Sequence, residues 1–483
     1  MADVRDVLAA LEADTDREVG AAFARLVTDY FHGTRAGDGP VSTPLRPAEL
    51  ARRFDEPLPA EGRPIHELLA RLERDVLPDC NRLMHPRSMG HQVSAPLPAA
   101  VWTEALTAAL NQSGAVWEMS PAGTAIETQV VRWMCRLVGF GEAAGGTFTS
   151  GGTEANFAGL LAARQALLPE AWTKGVGPRP PAVVCGEHAH YSVARAVGLL
   201  GLGTDQVVAV PSGDGLAMAP AALRGVLDEV RSQGRAIMAV VATAGSTPTG
   251  SFDDLEAIGR TCEDRGLWLH VDGSHGASAL LSARHRARLA GIERARSVAW
   301  DPHKMMLMPL TASVVLVRRE ADLEQAFSQS APYLFHERDG RNWDQGRRSF
   351  TCSRRIDALK VWVALQRYGA SGLGALYDRL CDTCARLHDL VSAHAAVRPL
   401  HAPTSNILCF RYVGDRPEDD PALDDLNLRL REAYNQAGDG WITTTVLRGR
   451  RVLRVTIMNP RTGTADLVRL LEGLVRTARR LEP

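Results

Sequence analysis

Lysine is almost missing from this chain of 483 residues: Lys174, Lys304 and Lys360 stand beside 52 arginines. Arginine stays protonated and cannot act as an amine nucleophile, whereas lysine can once its pKa is lowered. A lysine kept in a special local setting is therefore a candidate for chemistry that arginine cannot do. Cysteine is sparse too, at eight residues, too few for a disulfide scaffold. Cys381 and Cys384 form a CxxC before His388, but residues 373–391 have helical spacing that makes them neighbours on one face. With no second CxxC, no metal site is expected. No apolar run reaches the ~18 residues of a membrane span; the best, 236–242, has the length of a strand. The formal net charge of -1 lacks the basic surplus of a nucleic-acid binder. The first twenty residues are acidic and amphipathic, without the basic-then-apolar order of a signal peptide. A soluble cytoplasmic protein is expected, with no nucleic-acid or membrane partner.

Glycine (43) and proline (27) stay near ordinary globular usage, which excludes collagen-like and disordered chains. The length suggests about two to four domains. Residues 1–90 read as helices and Gly/Pro-rich connectors, 91–370 as a large domain and 371–483 as a smaller α/β domain. In the large domain seven short apolar runs (146–149, 182–185, 206–210, 236–242, 267–271, 297–300 and 312–317) alternate with helical windows. Repeated strand–helix units predict a mainly parallel sheet with helices on both faces. Ligands of such sheets gather at the C-terminal strand ends. After 370 a long helical pattern leads to strand-like 406–412, a helix at 423–437, strand-like 441–446 and 452–457, and a closing helix at 465–481.

Four of the strand ends carry chemistry. Thr149-Ser150-Gly151-Gly152-Thr153-Glu154-Ala155-Asn156 ends one run and opens a helix. Backbone N–H groups at a helix start, with glycines allowing close approach, make a phosphate cradle, although such turns also serve simply as connectors. The GxxxxGK[ST] of a nucleotide P-loop is absent. In Gly186-Glu187-His188-Ala189-His190-Tyr191-Ser192, the two histidines find no complementary metal ligands at suitable spacing. An imidazole there is either structural or a stacking partner and proton relay for an aromatic ring. Asp272, in His270-Val271-Asp272-Gly273-Ser274-His275-Gly276, closes an apolar strand. A carboxylate buried there needs a cation or strong donors; a protonated pyridine nitrogen is one solution and a loop cap another. Lys304, in Asp301-Pro302-His303-Lys304, follows the next strand, 32 residues later. An amine at the ligand edge can form a Schiff base with an aldehyde cofactor, whereas most lysines snorkel to solvent.

Cradle, histidine, aspartate and lysine, in that chain order, match the pyridoxal phosphate site of fold type I enzymes. More closely, the chain resembles the group II pyridoxal-phosphate amino-acid decarboxylases, which include glutamate, cysteine sulfinate, aromatic amino-acid and diaminobutyrate decarboxylases. The resemblance covers about 85–460. It rests on His85-Pro86-Arg87, Asn111-Gln112 through Ser120-Pro121, TSGGTEAN, HAHYS, SFDD at 251–254, HVDGSHG, GIERARSVAWDPHK, Tyr333-Leu334-Phe335 and RVTIMNP at 454–460.

The resemblance implies a fold type I α/β architecture with a mainly parallel seven-stranded sheet, a helical N-terminal segment and a small C-terminal α/β domain. Lys304 looks like the lysine that holds the cofactor aldehyde, and Asp272 like the partner of the pyridine nitrogen. His190 looks like the histidine stacked on the ring. Gly152 and Thr153 resemble the phosphate-binding positions, and Thr247 and His303 match other cofactor-side residues. Tyr333 falls where the family keeps a mobile-loop tyrosine that protonates the α-carbon across a dimer interface, so a homodimer is expected. Arg454 matches an arginine that contacts a substrate carboxylate, and His91 falls in the substrate pocket.

Four residues depart from the family pattern. Gly273, Ser274 and His275 replace the usual alanine pair and aromatic residue, placing the Ser274 hydroxyl against the cofactor ring. His275 is either a proton donor near the phosphate or a packing substitute. Asp301 replaces the asparagine common before Pro-His-Lys. The expected activity is decarboxylation of an L-amino acid to its amine, with an acidic or diamino substrate favoured. The alternatives are an aldehyde-forming, oxidative or transaminating enzyme with the same cofactor, and a non-catalytic cofactor-binding protein. Within residues 338–355, Arg341, Arg347, Arg348, Arg354 and Arg355 either help to bind an acidic side chain or form a solvated loop face or dimer contact.

Overall fold

The computed structural model describes residues 3–338, 340 and 342–482; Arg341 lies outside them. Contacts divide the chain into two compact units. One comprises Gln92–His388 and Leu400–Cys409, the other Met1–His91, Asp389–Pro399 and Phe410–Pro483.

The first unit is built on a seven-stranded sheet: β1 Gly145–Thr149, β2 Ala182–Gly186, β3 Val207–Val210, β4 Ile237–Thr243, β5 Trp268–Asp272, β6 Ser297–Trp300 and β7 Ser313–Val317. Its order is β1-β7-β6-β5-β4-β2-β3. The pairs β2–β3, β2–β4, β4–β5 and β5–β6 are parallel, while β7 runs antiparallel to both β6 and β1. β7 is thus the single reversed strand. Side chains alternate between the faces of a strand, and both sets are buried. Val183, Cys185, Ala239, Val241, Ala299, Val315 and Val317 cluster with Ala155, Ala158, Leu161 and Ala162 of the helix Gly152–Leu167. The alternate positions Val184, Val240, Leu269, Val271, Val298 and Leu316 are also fully buried. This explains why the strands read as continuous apolar runs rather than as alternating patterns. β3, at the edge, keeps three of its four residues partly or fully exposed.

The helical run Ala358–Ala393 breaks at Gly369 (φ 68°, ψ 165°). Cys381 and Cys384 are buried within it, and the described residues contain no group of three ligands able to hold a metal.

The second unit holds β8 Val397–Pro399, β10 Thr443–Leu447, β11 Arg450–Thr456 and, from Phe410 on, β9 Ile407–Tyr412, in a sheet of order β10-β11-β9-β8. Helices Ala422–Gln436 and Thr464–Leu481 pack against each other, and the former also packs on β11. The segment before His91 joins this unit through backbone bonds from Met89 to the Trp441 carbonyl (2.9 Å) and from Thr456 to the Met89 carbonyl (2.9 Å). The N-terminal helix Val4–Asp14 has no buried residue, and its stripe of Val4, Val7, Leu8 and Leu11 is exposed. Among the described residues no helix is long and apolar enough to cross a membrane.

Candidate active site

β1, β2, β4, β5 and β6 point the same way, so their C-terminal ends meet at one edge of the sheet. A cavity of about 290 Å³ opens there. After β1 it is lined by Ser150, Gly151, Gly152 and Thr153, and after β2 by His190. The end of β4 contributes Thr243, Gly245 and Thr247; β5 contributes Asp272, Ser274 and His275; the turn after β6 contributes Asp301, His303 and Lys304. The eight residues assigned to cofactor binding from the sequence therefore share one cavity.

Lys304 Nζ lies 3.0 Å from Asp301 Oδ2, and Ser313 donates its hydroxyl to the other oxygen of that carboxylate at 2.5 Å. Asp272 is buried at the foot of the cavity. Its Oδ2 accepts from the Asn156 side-chain amide at 3.0 Å and its Oδ1 from the Ser274 backbone N–H at 3.2 Å. Burial alone would raise its pKa. The Lys304 charge and the hydrogen bonds it accepts outweigh that, and the net direction is downward, which keeps the group anionic. His190 is half-buried, with Nδ1 2.8 Å from Ser192 Oγ. Desolvation dominates over the attraction of Asp272 and lowers its pKa, so the ring is neutral near pH 7. His303 is held by backbone and ring contacts to Ala312, the Nδ1 to carbonyl distance being 2.7 Å.

The glycine turn is shaped by close approach. A Cβ on Gly152 would come within 2.5 Å of Ser274 Oγ and 2.7 Å of Asp301 Oδ2. Gly152 also opens a sixteen-residue helix, whose first N–H groups have no partner within the helix and favour an anion.

These residues fit pyridoxal phosphate. An amine and a carboxylate sit on adjacent strand ends, an imidazole shares their cavity, and an anion cradle stands at the end of β1. Among the described residues, the buried lining atoms Thr243 Oγ1 and Gln92 Nε2 have no hydrogen-bond partner.

Other residues singled out in the sequence lie elsewhere. Tyr333 is 84% exposed and does not line the cavity. Arg454 and His91 come together in the other unit. Arg454 is buried and lies 3.4 Å from Thr443 Oγ1, and His91 meets Trp441 edge-on at 5.0 Å. Burial first, and then the Arg454 charge, lower the His91 pKa. His188 faces Glu187 and Ser212, away from the cavity. His275 is buried and its Nε2 meets Asn406 Oδ1 at 2.7 Å, so this ring is fixed by packing and a hydrogen bond. Of the described arginines in this stretch, Arg347 is exposed and four others have acidic partners. Arg354 pairs with buried Glu127 at 2.7 Å, Arg355 with Glu104 at 2.7 Å, Arg348 with Glu320 and Arg338 with Glu118.

Sequence reasoning gave no role to Asn156, which also lines the cavity, or to Ser192 and His270, which do not line it. The signal was present as spacing. Asn156 is one helical turn beyond Gly152, and His270 shares a strand face with Asp272 because the two are separated by a single residue.

Comparisons with known proteins agree with this geometry. The family model described as the pyridoxal-dependent decarboxylase conserved domain matches residues 47–413. The chain is 35% identical over 435 residues to an L-2,4-diaminobutyrate decarboxylase of Rhizobium meliloti, covering 88% of this chain and 85% of that one. It is 34% identical to an acidic amino acid decarboxylase of Bos taurus, over 76% of this chain and 71% of the other. The crystal structure of mouse CSAD superposes with a TM-score of 0.89 at 28% identity, covering 96% of this chain and 99% of that one.

Proposed function

The chain belongs to the pyridoxal-dependent decarboxylase family and is a pyridoxal-phosphate-dependent amino-acid carboxy-lyase, and we propose that its substrate is a small polar L-amino acid, diamino or acidic. The single observation that carries the reading is the meeting of Lys304, Asp272, His190 and the Gly152 turn in one cavity. The relatives named for diaminobutyrate and for acidic amino acids support the substrate class.

In this reading Lys304 holds the cofactor aldehyde, Gly152 and Thr153 bind its phosphate, Thr247 and His303 contact it elsewhere, and His190 and Ser274 flank its ring. The bound cofactor supplies an electron sink for the pair left behind when carbon dioxide departs. Asp272, kept anionic, is the preorganised charge that holds a proton on the ring nitrogen. His91 and Arg454 serve the substrate and its carboxylate. Tyr333, on a loop that closes over the site, excludes water and delivers a proton to the α-carbon. A cytoplasmic homodimer places that loop against the opposite subunit's cavity, and the exposed stripe of Val4, Val7, Leu8 and Leu11 is apolar surface that a second copy would cover.

The test is carbon dioxide release from the full chain plus pyridoxal phosphate, across the common L-amino acids together with 2,4-diaminobutyrate, cysteine sulfinate and cysteate. Release from a diamino or acidic substrate, lost in Lys304→Ala together with the cofactor's visible absorbance, is expected. Release confined to aromatic substrates overturns the substrate class. Full release by Lys304→Ala overturns the assignment of the lysine.

A further inference from the structure

Behind Asp272 a chain of buried hydrogen bonds runs through the helix–sheet interface. Trp268 Nε1 lies 2.9 Å from Ser297 Oγ, and Ser297 Oγ lies 2.8 Å from His270 Nδ1. His270 Nε2 lies 2.9 Å from Asn156 Oδ1. Asn156 Nδ2 lies 3.0 Å from Asp272 Oδ2 and 2.9 Å from Ser192 Oγ, which in turn meets His190 Nδ1 at 2.8 Å.

The direction of every link follows from its first donor. An indole N–H can only donate to Ser297 Oγ, and among the described residues the other partner of that hydroxyl is His270 Nδ1, so Ser297 gives its own proton to that nitrogen. His270 then carries its proton on Nε2 and gives it to the Asn156 carbonyl. The Asn156 amide is thereby oriented: its two N–H bonds point to Asp272 and Ser192, and Ser192 donates onward to His190 Nδ1. Neutrality of His270 agrees with this, since complete burial lowers its pKa to about 4. Room for the imidazole is provided by Gly159 of the helix, where a Cβ would come within 2.6 Å of the ring. An interior helix glycine is less favourable than alanine, and here it admits the ring.

We propose that Asn156 and His270 are positioning residues that keep Asp272 an unprotonated carboxylate: the buried imidazole locks the Asn156 amide so that its N–H, and not its carbonyl, faces Asp272. Without the His270 donor the amide is free to turn over, which sets oxygen lone pairs against the carboxylate. A carboxylate that loses a donor and gains a repulsive neighbour takes up a proton more readily. The proton shared between Asp272 and the cofactor's ring nitrogen then moves toward Asp272, and the ring becomes a poorer electron sink. The inference rests on the proposed function only in pairing Asp272 with that nitrogen. The orientation of the amide stands without it.

Two measurements test it. The first uses the cofactor-free full chain labelled with 15N-histidine. His270, assigned by its loss in His270→Gln, is expected as the Nε2–H tautomer with a bare Nδ1; an Nδ1–H or doubly protonated ring overturns the proposal. The second loads the full chain with pyridoxal phosphate labelled with 15N at the ring nitrogen. The wild-type signal is expected at the pyridinium position, shifted toward free pyridine in His270→Leu and returned in His270→Gln, whose amide can still donate to Asn156. Identical signals in wild type and His270→Leu overturn it. If His270→Leu does not fold, Asn156→Leu takes its place with the same expected shift. A wild type that takes up no labelled cofactor removes the pyridoxal phosphate reading instead, and the histidine spectrum still decides the orientation of the amide.

Discussion

Lys304 and Asp301 form an ion pair, Nζ to Oδ2 3.0 Å, in which the carboxylate is 1% and the lysine side chain 19% exposed. Asp301 also receives the Ser313 hydroxyl, and His303 Nε2 lies 3.5 Å from it. The Asp301 carboxylate therefore has a definite partner in this protein. Removing it leaves a mostly buried ammonium poorly compensated. Asp301→Asn is expected to destabilise the cofactor-free chain by about 2 kcal/mol. In a Lys304→Met background no unpaired charge remains, and the same substitution should cost much less. Denaturant unfolding of the four proteins measures the coupling; equal penalties in both backgrounds would show that the pair contributes nothing.

Arg354 tests the reading of the arginine-rich stretch. Its guanidinium reaches Glu127 at 2.7 Å and the carbonyls of Gly114 (3.0 Å) and Phe148 (3.1 Å), and Glu127 in turn accepts the Phe148 N–H. Both side chains are nearly dry, at 6% and 1% exposed. Breaking such a pair strands a buried charge, so Arg354→Ala should cost about 3–5 kcal/mol. KM of the fraction that remains folded should not change. A raised KM at unchanged stability would instead make this arginine a substrate contact.

The sequence showed the sheet and the ends of its strands because an apolar run is a local property. The direction of β7 was not local: a run of Ser313–Val317 reads the same whichever way it points. Lys304, Asp272, His190 and Gly152 were legible because each is an unusual residue type in its place, a lysine in an arginine-rich chain or a carboxylate ending an apolar strand. Asn156 and His270 were hidden for the opposite reason. A histidine inside an apolar strand and an asparagine inside a helix look like ordinary core polar residues until their partners, 114 and 116 positions apart in the chain, are seen together. The arginine partners were equally distant, Glu127 lying 227 positions before Arg354.

Tyr333 is 84% exposed in the single chain, and the proposed homodimer gives it a site to serve. Tyr333→Phe is expected to keep the cofactor absorbance while amine formation falls about 10²-fold or more, with aldehyde appearing in its place. Mixing Tyr333→Phe with Lys304→Ala then separates two geometries. If Tyr333 acts across the interface, each hybrid dimer holds one site with both residues intact, and re-equilibrated mixtures should regain about a quarter of wild-type amine formation. If it acts within its own chain, a hybrid has both Lys304 and Tyr333 intact in neither site and the mixture stays inactive. Unchanged amine yield in Tyr333→Phe alone would remove the residue from its role.

His270 also makes a prediction for acid stability. Burial holds its pKa at about 4 in the folded chain, against the attraction of Asp272, while in the unfolded chain it titrates near the ordinary ~6.5. Between those values the unfolded state binds a proton that the folded state refuses, so stability falls as pH drops through this window and levels off below about 4. The stabilising share is fully present above about pH 7 and amounts to about 3 kcal/mol across the whole window. His85, also lowered to about 4 by burial and then by the Arg87 charge, acts in the same direction in the other unit. His270→Gln removes the contribution of this histidine alone. From pH 7 to pH 5 its unfolding free energy should therefore fall by about 2 kcal/mol less than that of the wild type. Urea unfolding of the cofactor-free chain at the two pH values measures the difference. Parallel losses in both proteins would mean that His270 is already charged in the folded state, which is incompatible with an imidazole nitrogen that accepts the Ser297 proton.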